Sequence, residues 1–262
     1  MYPDFLAKIK DPSARPAPDP LPTPPEPRPE PDFGNVKISV VPVQGNVYML
    51  AGAGANITVQ VGEHSVLVVD TQFAPLSEKI VAAIRQISSK PIRFVINTNF
   101  DPDHTGANAE IAKAGSQIGG GQRFLGEGDN APASIVAHEN VLQRMSAPTG
   151  LKSTVPFAAW PTETYATVEY ELFNGEGVQI IHIPAAHSDG DSIVFFRRSD
   201  VISTGDVFST ISYPVIDRKN GGSINGEIAA LNRLIKLSIP RHMQEGGTYL
   251  SRAMEEFPMK PA

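Results

Sequence analysis

Three short stretches of this chain carry residues that could do chemistry together. The first is Asn97-Thr98-Asn99-Phe100-Asp101-Pro102-Asp103-His104-Thr105-Gly106, where Asp101, Asp103 and His104 fall within four positions. The second is His187-Ser188-Asp189-Gly190-Asp191, and the third is Ser203-Thr204-Gly205-Asp206. Carboxylate oxygens suit hard divalent cations and imidazole nitrogens suit Zn²⁺, so acids and histidines this closely spaced can converge on one ion. Taken alone, an Asp at the end of a strand more often caps a helix or closes a turn. Three such clusters, each after an apolar run, argue for a shared metal site.

The surrounding pattern supplies the elements that must position them. Strands are expected over Lys37–Val43, Asn46–Leu50, Ile57–Val61 and Ser65–Val69. Leu76, Ile80, Ile84 and Ile87 then recur at helical spacing, and Lys90-Pro91 ends that helix. Ile92–Ile96 is a short apolar strand leading into the first cluster, and Gly106–Ala114 suits a helix. The second half expects strands over Val178–Ile183, Ser192–Phe196 and Val201–Ser203, then a helix over Ile228–Leu237. Two strand-rich halves, each followed by helices, imply sheet packed on sheet with helices outside. Strand ends project side chains from a rigid edge, which is where such a site belongs.

Composition narrows the function. The chain has 262 residues, 41% hydrophobic and 19% charged, values that suit one packed domain. A net charge of −6 with no basic cluster excludes nucleic acid as the expected partner, and no apolar run is long enough to cross a membrane. A small-molecule substrate is expected instead. The absence of cysteine rules out disulfides, thiolate nucleophiles and Cys-based zinc sites. Ten of the 24 prolines lie between Pro12 and Pro31, so residues 1–35 are expected to form an extended Pro-rich tail before a domain over 36–262. Residues 1–12 lack a basic start followed by an apolar stretch. The chain as written is thus expected in the cytoplasm, or in the periplasm or outside the cell if its start lies elsewhere.

From Val36 to Tyr249 the sequence resembles the metallo-β-lactamase superfamily. That family carries a strand ending in His-x-His-x-Asp-His, then a His before an Asp-Gly-Asp-Ser-like turn, then Gly-Asp, then a final Gly-His. Asp103, His104, His187 and Asp206 match these positions. Gly52-Ala53-Gly54-Ala55-Asn56, Asp70, Ala137-His138-Glu139-Asn140 and Gly246-Gly247-Thr248 are similar to the family as well. The resemblance implies a four-layer αββα sandwich with metal at one edge. It also implies hydrolysis of a small ester, lactone, amide or thioester by a metal-bound hydroxide, with an Asp handling the proton. On this reading Asp101, Asp103, His104, His187 and Asp206 hold metal, and Asp103 is also catalytic. Zn²⁺ is the expected ion, with Mn²⁺ or Fe²⁺ able to compete because three of the five ligands are carboxylates.

Two departures stand out. The first two motif histidines are Asn99 and Asp101 here. An Asn amide oxygen is a poor zinc ligand, so Asn99 marks a weak or lost position, whereas Asp101 can still ligate. The final Pro-Gly-His-Gly, due after Tyr249, is absent. Back-translated from Leu250 and read one nucleotide earlier, Ser251-Arg252-Ala253-Met254-Glu255 can spell Ile-Pro-Gly-His-Gly, and Met254 before Glu255 forces one of those glycines. A slipped reading frame would remove the last ligand together with a closing strand and helix; the alternative is a genuinely divergent C-terminus. Sequencing the gene decides between them: shifting one base near the Leu250 codon should open a longer frame containing Gly-His, and immediate stops in both other frames would end the idea.

The remaining histidines have structural readings. His64 suits an exposed turn and His242 solvent, while His138 and His182 suit hydrogen-bonded structural roles. Gly119-Gly120-Gly121 lacks the strand and helix of a nucleotide site and reads as a loop.

Overall fold

The computed structural model describes residues 31–117, 131–147, 152–210 and 212–238. The chain divides into two units, Met1–Pro31 and Asp32–Ala262, and every element below belongs to the second. The Pro-rich tail, the Gly119-Gly120-Gly121 loop, His242 and the divergent C-terminus lie outside the described residues.

The first half builds a seven-stranded sheet from β1 (Ser39–Gln44), β2 (Val47–Ala51), β3 (Ile57–Val61), β4 (Val66–Val69), β5 (Ile92–Ile96), β6 (Ser134–His138) and β7 (Glu163–Tyr165), in that order. β1 to β4 are antiparallel, and β4 to β7 are parallel. Parallel neighbours need crossovers, and helices provide them: α1 (Ser77–Ile87), α2 (Pro102–Thr105), α3 (Asn108–Lys113) and α4 (Glu139–Ser146). The second half builds a four-stranded antiparallel sheet in the order β11 (Val201–Ser203), β10 (Ser192–Phe196), β9 (Glu176–His182), β8 (Val168–Phe173), followed by α5 (Ile224–Ser238).

The layers follow from which side chains share a core. β4 is apolar at every position because both of its faces are covered. Val66 and Val68 pack with Ile80 and Ile84 of α1, while Leu67 and Val69 meet Val178, Ile180, Val194 and Phe196 of the other sheet. On the outer face of that second sheet, Ile181 and Ile193 pack with Ala230, Leu234 and Leu237 of α5. Helix, sheet, sheet, helix is the expected four-layer αββα sandwich.

Two helix boundaries differ from the sequence expectation. The helix expected over Gly106–Ala114 runs only Asn108–Lys113, separate from the short helix Pro102–Thr105 before it, because Ala107 leaves helical geometry and its N–H donates to the Gln72 carbonyl (3.1 Å). Gly106 permits that approach: a Cβ there would lie 2.5 Å from the Pro102 carbonyl oxygen and 2.8 Å from that of Gln72. The last helix begins at Ile224 rather than Ile228, since the Ser223 hydroxyl accepts the Gly226 N–H (3.0 Å) and caps the first turn.

At the start of β9, the buried Glu176 carboxylate ties the two sheets together. It accepts Gln60 Nε2 (2.6 Å), Ser199 Oγ (2.8 Å), and the backbone N–H groups of Arg198 and Ser199 (both 2.9 Å). Burial opposes its charge, but these donated hydrogen bonds win and hold its pKa below the ordinary value. A lowered folded pKa gives stability that is present above the unfolded value and lost as pH falls through the folded one. Glu176→Ala should therefore destabilise by about 3 kcal/mol at pH 7, leaving buried donors unpaired, and by clearly less near pH 4. Urea midpoints at the two pH values test this; equal losses at both would refute the electrostatic part.

Candidate metal centre

The clusters meet where the carboxyl ends of the strands face one edge of the sandwich. β4 leads into Asp70, β5 leads into Asn97–Gly106, β9 leads into the turn bearing His187, and β11 leads into Asp206. The backbone there is forced into uncommon conformations: Asp70 (φ 63°), Gln72 (φ 55°) and Ala185 (φ 57°) are all left-handed. Such residues persist only where the surroundings fix them, and they concentrate at functional sites. Gly205 is left-handed too (φ +53°), and a Cβ on it would lie 2.6 Å from Thr98 Oγ1. That contact lets the Asp206 turn close onto the β5 loop.

His104 is 1% exposed and fully oriented. Its Nδ1 lies 2.9 Å from Asp70 Oδ2 and 3.0 Å from Thr98 Oγ1. Asp70 is itself fixed by the Thr98 N–H (2.8 Å) and hydroxyl (2.7 Å). Nδ1 donates to Asp70, so Nε2 is the ring nitrogen left to face Asp206. Nε2 has no hydrogen-bond partner, yet Asp206 Oδ2 stands 3.1 Å away. A lone pair facing a carboxylate oxygen repels unless a positive charge, proton or metal, lies between them.

The same holds across the site. His187 Nδ1 donates to the Val215 carbonyl (2.8 Å), and its Nε2 lies 3.1 Å from Asp101 Oδ2 and 3.7 Å from Asp206 Oδ2. Donor atoms of Asp101, His187 and Asp206 all lie within 4.8 Å of one another. Burial disfavours charge on His187, but the Asp101 hydrogen bond and the Val215 carbonyl prevail and raise its pKa to about 9. His104 is raised as well, against burial, by the Asp70 and Asp206 carboxylates. Asp206 falls to about 2 despite burial, chiefly through its contact with His104. This pocket draws positive charge.

Not every sequence-derived candidate converges. Asn99 donates Nδ2–H to Asp206 Oδ2 (2.9 Å) and accepts the Asp101 N–H at its Oδ1 (2.9 Å). Its amide therefore acts as a strut and turns a donor, rather than a lone pair, towards the site. Asp103 stands outside the trio of convergent donors, and so does His104, which reaches the trio through Asp206 Oδ2. Asp103 packs beneath the Gly52–Asn56 turn, where a Cβ at Gly54 (φ +76°) would lie 2.5 Å from the Asp103 Cβ. Burial raises the Asp103 pKa, outweighing the attraction of His104. His138 and His182 are structural, as expected. Their rings stack at 3.6 Å, His138 Nε2 faces the Ala166 carbonyl (2.8 Å), and His182 Nδ1 faces that of Asp191 (3.0 Å). His64 is exposed.

The chain is matched over residues 41–241 by the family model of the metallo-beta-lactamase superfamily. It belongs to that superfamily. No curated protein matches it. Among solved structures it is similar to a metallo-beta-lactamase from Pontibacter korlensis, with 13% identity and a TM-score of 0.56 over 76% of this chain and 86% of that one. It is also similar to the metallo-beta-lactamase IND-7, with 15% identity and a TM-score of 0.56 over 77% and 85% of the two chains. A third is DIM-1 metallo-beta-lactamase, with 14% identity and a TM-score of 0.54 over 78% and 86%. At these identities the likeness is one of fold.

Sequence reasoning missed Glu227. It is 2% exposed in the first turn of α5, and neither carboxylate oxygen has a partner. Burial first, then the charge of Asp191, raises its pKa to about 7. A carboxyl whose folded pKa is raised costs stability as pH rises from the unfolded value through the folded one. Glu227→Met should stabilise the fold by about 2 kcal/mol at pH 8 and by less at pH 5. Thermal melts at both values test this, and a destabilised variant at pH 8 would contradict it.

Proposed function

We propose that this member of the superfamily is a metal-dependent hydrolase acting on a small ester, lactone, amide or thioester. One observation carries the reading: the partnerless Nε2 of His104, 3.1 Å from Asp206 Oδ2, with Nδ1 already committed to Asp70. The donor set fits a divalent ion, with Asp206, His104, His187 and Asp101 as its holders. Zn²⁺ suits the two imidazoles, and the two carboxylates let Mn²⁺ or Fe²⁺ compete. When bound, the ion supplies Lewis acidity for a carbonyl oxygen and acidifies water.

The protein groups do the rest. Asp70 and the Val215 carbonyl fix the tautomers of His104 and His187, so both present Nε2. Asp103 sits one residue before His104 with its pKa raised by burial, which suits its carboxyl to take and return a proton. The Asn99 amide favours a second reading, a member that holds one ion without turnover, because it occupies a ligand position with a hydrogen-bond donor.

A panel of esters, lactones, β-lactams and thioesters, assayed with metal content measured in parallel, separates the two. Turnover abolished by a chelator and restored by Zn²⁺ or Mn²⁺ supports the hydrolase. About one tightly held ion per chain with no turnover on any class supports the second reading, and less than about a tenth of an equivalent of any divalent metal removes both.

A further inference from the structure

We infer that Arg144, on α4, is a positioning residue that sets the spacing of the metal ligands. The inference rests on the metal-site reading above. Its guanidinium is the shared contact of three separate segments. Nε and Nη2 fork onto Asp189 Oδ1 (3.0 Å) and Oδ2 (2.5 Å), two residues after His187. Nη1 donates to Asn220 Oδ1 (2.7 Å) and Nη2 to the Asn220 carbonyl (3.1 Å). The guanidinium carbon stands 5.0 Å from the ring centroid of Phe100, the neighbour of Asp101.

Each of those segments either bears a ligand or orients one. Phe100 precedes Asp101, and Asp189 lies in the His187 turn. The stretch ending at Asn220 supplies the Val215 carbonyl that fixes His187 Nδ1 and the Asp217 N–H that donates to the His187 carbonyl (2.8 Å). The Asp189 N–H also donates to the Asn220 carbonyl (2.9 Å), closing the loop between the two. Arg144 thus joins the Asp101 side of the site to the His187 side from outside, beneath a cavity of about 470 Å³ that Phe100 and Asn220 also line. A planar fork with this many donors can hold a carboxylate, an amide and a ring face at once, whereas a lysine ammonium is a point charge without that bidentate geometry.

This role is separable from stability. The Arg144–Asp189 pair is partly exposed, at 27% and 38% of the side chains, and pairs of that kind contribute little to folding. Ligand spacing is more sensitive, because residues that orient metal ligands change affinity tenfold to about a hundredfold when removed.

The test measures Zn²⁺ and Mn²⁺ affinity of the full chain by competition with a chromogenic chelator, alongside melting of the metal-free protein. Arg144→Met and Arg144→Lys should each weaken binding at least about tenfold, while Arg85→Met, which removes a helix-end arginine away from the site, leaves it unchanged. Asn220→Ala keeps the ion pair and the carbonyl contact but removes the Nη1 contact to Oδ1; it should fall between wild type and Arg144→Met, and it serves if Arg144→Met does not fold. Wild-type affinity in Arg144→Met, or in Asn220→Ala should the former not fold, overturns the inference while leaving the metal site standing. A wild-type protein that binds neither ion overturns the metal-site reading and this inference with it.

Discussion

Asp206→Ala should strip the protein of bound metal, and Asp103→Ala should not. Asp206 Oδ2 is the atom on which the site converges: His104 Nε2 lies 3.1 Å away, His187 Nε2 3.7 Å and Asn99 Nδ2 2.9 Å. Removing that carboxylate takes away the negative charge that faces Nε2 of both histidines, leaving Asp70 behind His104 and Asp101 beside His187 as their remaining counter-charges. Affinity should fall at least about a hundredfold, and metal retained after dialysis should drop from about one equivalent to under a tenth. His187→Ala should behave alike, since it breaks the trio that lies within 4.8 Å. Asp103 is different, because its carboxyl stands under Gly54 and outside that trio. Asp103→Ala should keep its metal and lose turnover by about 10² to 10⁴, the usual loss when a general acid–base group goes. Elemental analysis of the three variants beside an esterase or lactonase assay reads both quantities. Metal lost equally from all three would return Asp103 to the ligand set.

That contrast shows where reading the sequence stops. The apolar runs of β4 and β5 and the helical spacing of α1 were legible because their partners are local or because both faces are buried, which leaves no ambiguity of pattern. β6, β7 and β8 were not. β6 opens on Ser134 and is buried at every position, and β7 has three residues, so neither alternates; β8 does alternate, from Val168 to Leu172, but its apolar Tyr170 and Leu172 face outward at the edge of its sheet rather than into a core. In the site, Asp101, His104, His187 and Asp206 were legible as residue types following strands, and the weakness of Asn99 followed from the chemistry of an amide. What the amide does instead, holding Asp206 and the Asp101 N–H, depends on a contact 107 positions away. The anchors are hidden for the same reason. Asp70 lies 34 positions from His104, and Arg144 lies 45 from Asp189. Glu227 had no signal at all, because an acid in the first turn of a helix is ordinarily a solvated partner of the helix dipole; only the packing of α5 against the second sheet reveals that it is buried.

The Asn99 strut leads to the other large expected effect. Asn99→His combined with Asp101→His should shift the metal preference from Mn²⁺ towards Zn²⁺ by at least about a hundredfold. In the native site Asn99 offers Asp206 a hydrogen-bond donor, and Asp101 offers oxygen, so the described donors are two carboxylates and two imidazoles. The double variant replaces the donor by a nitrogen lone pair and one carboxylate by a second. Softer nitrogen ligands favour Zn²⁺, and fewer anions around the ion leave its water more acidic, so any turnover should also reach its plateau at lower pH. There is a structural cost. Asn99 is 1% exposed, and its Oδ1 caps the Asp101 N–H, so a larger ring without that acceptor should destabilise the metal-free protein by about 1 to 2 kcal/mol. Zinc should return that stability, because an ion bound only by the folded state raises the melting temperature in proportion to the logarithm of its concentration. Competitive titration of Zn²⁺ against Mn²⁺, with melts recorded at several zinc concentrations, reads both effects. An unchanged Zn²⁺ to Mn²⁺ ratio would mean that these two positions do not face the ion. The metal would then be held by His104, His187 and Asp206 alone.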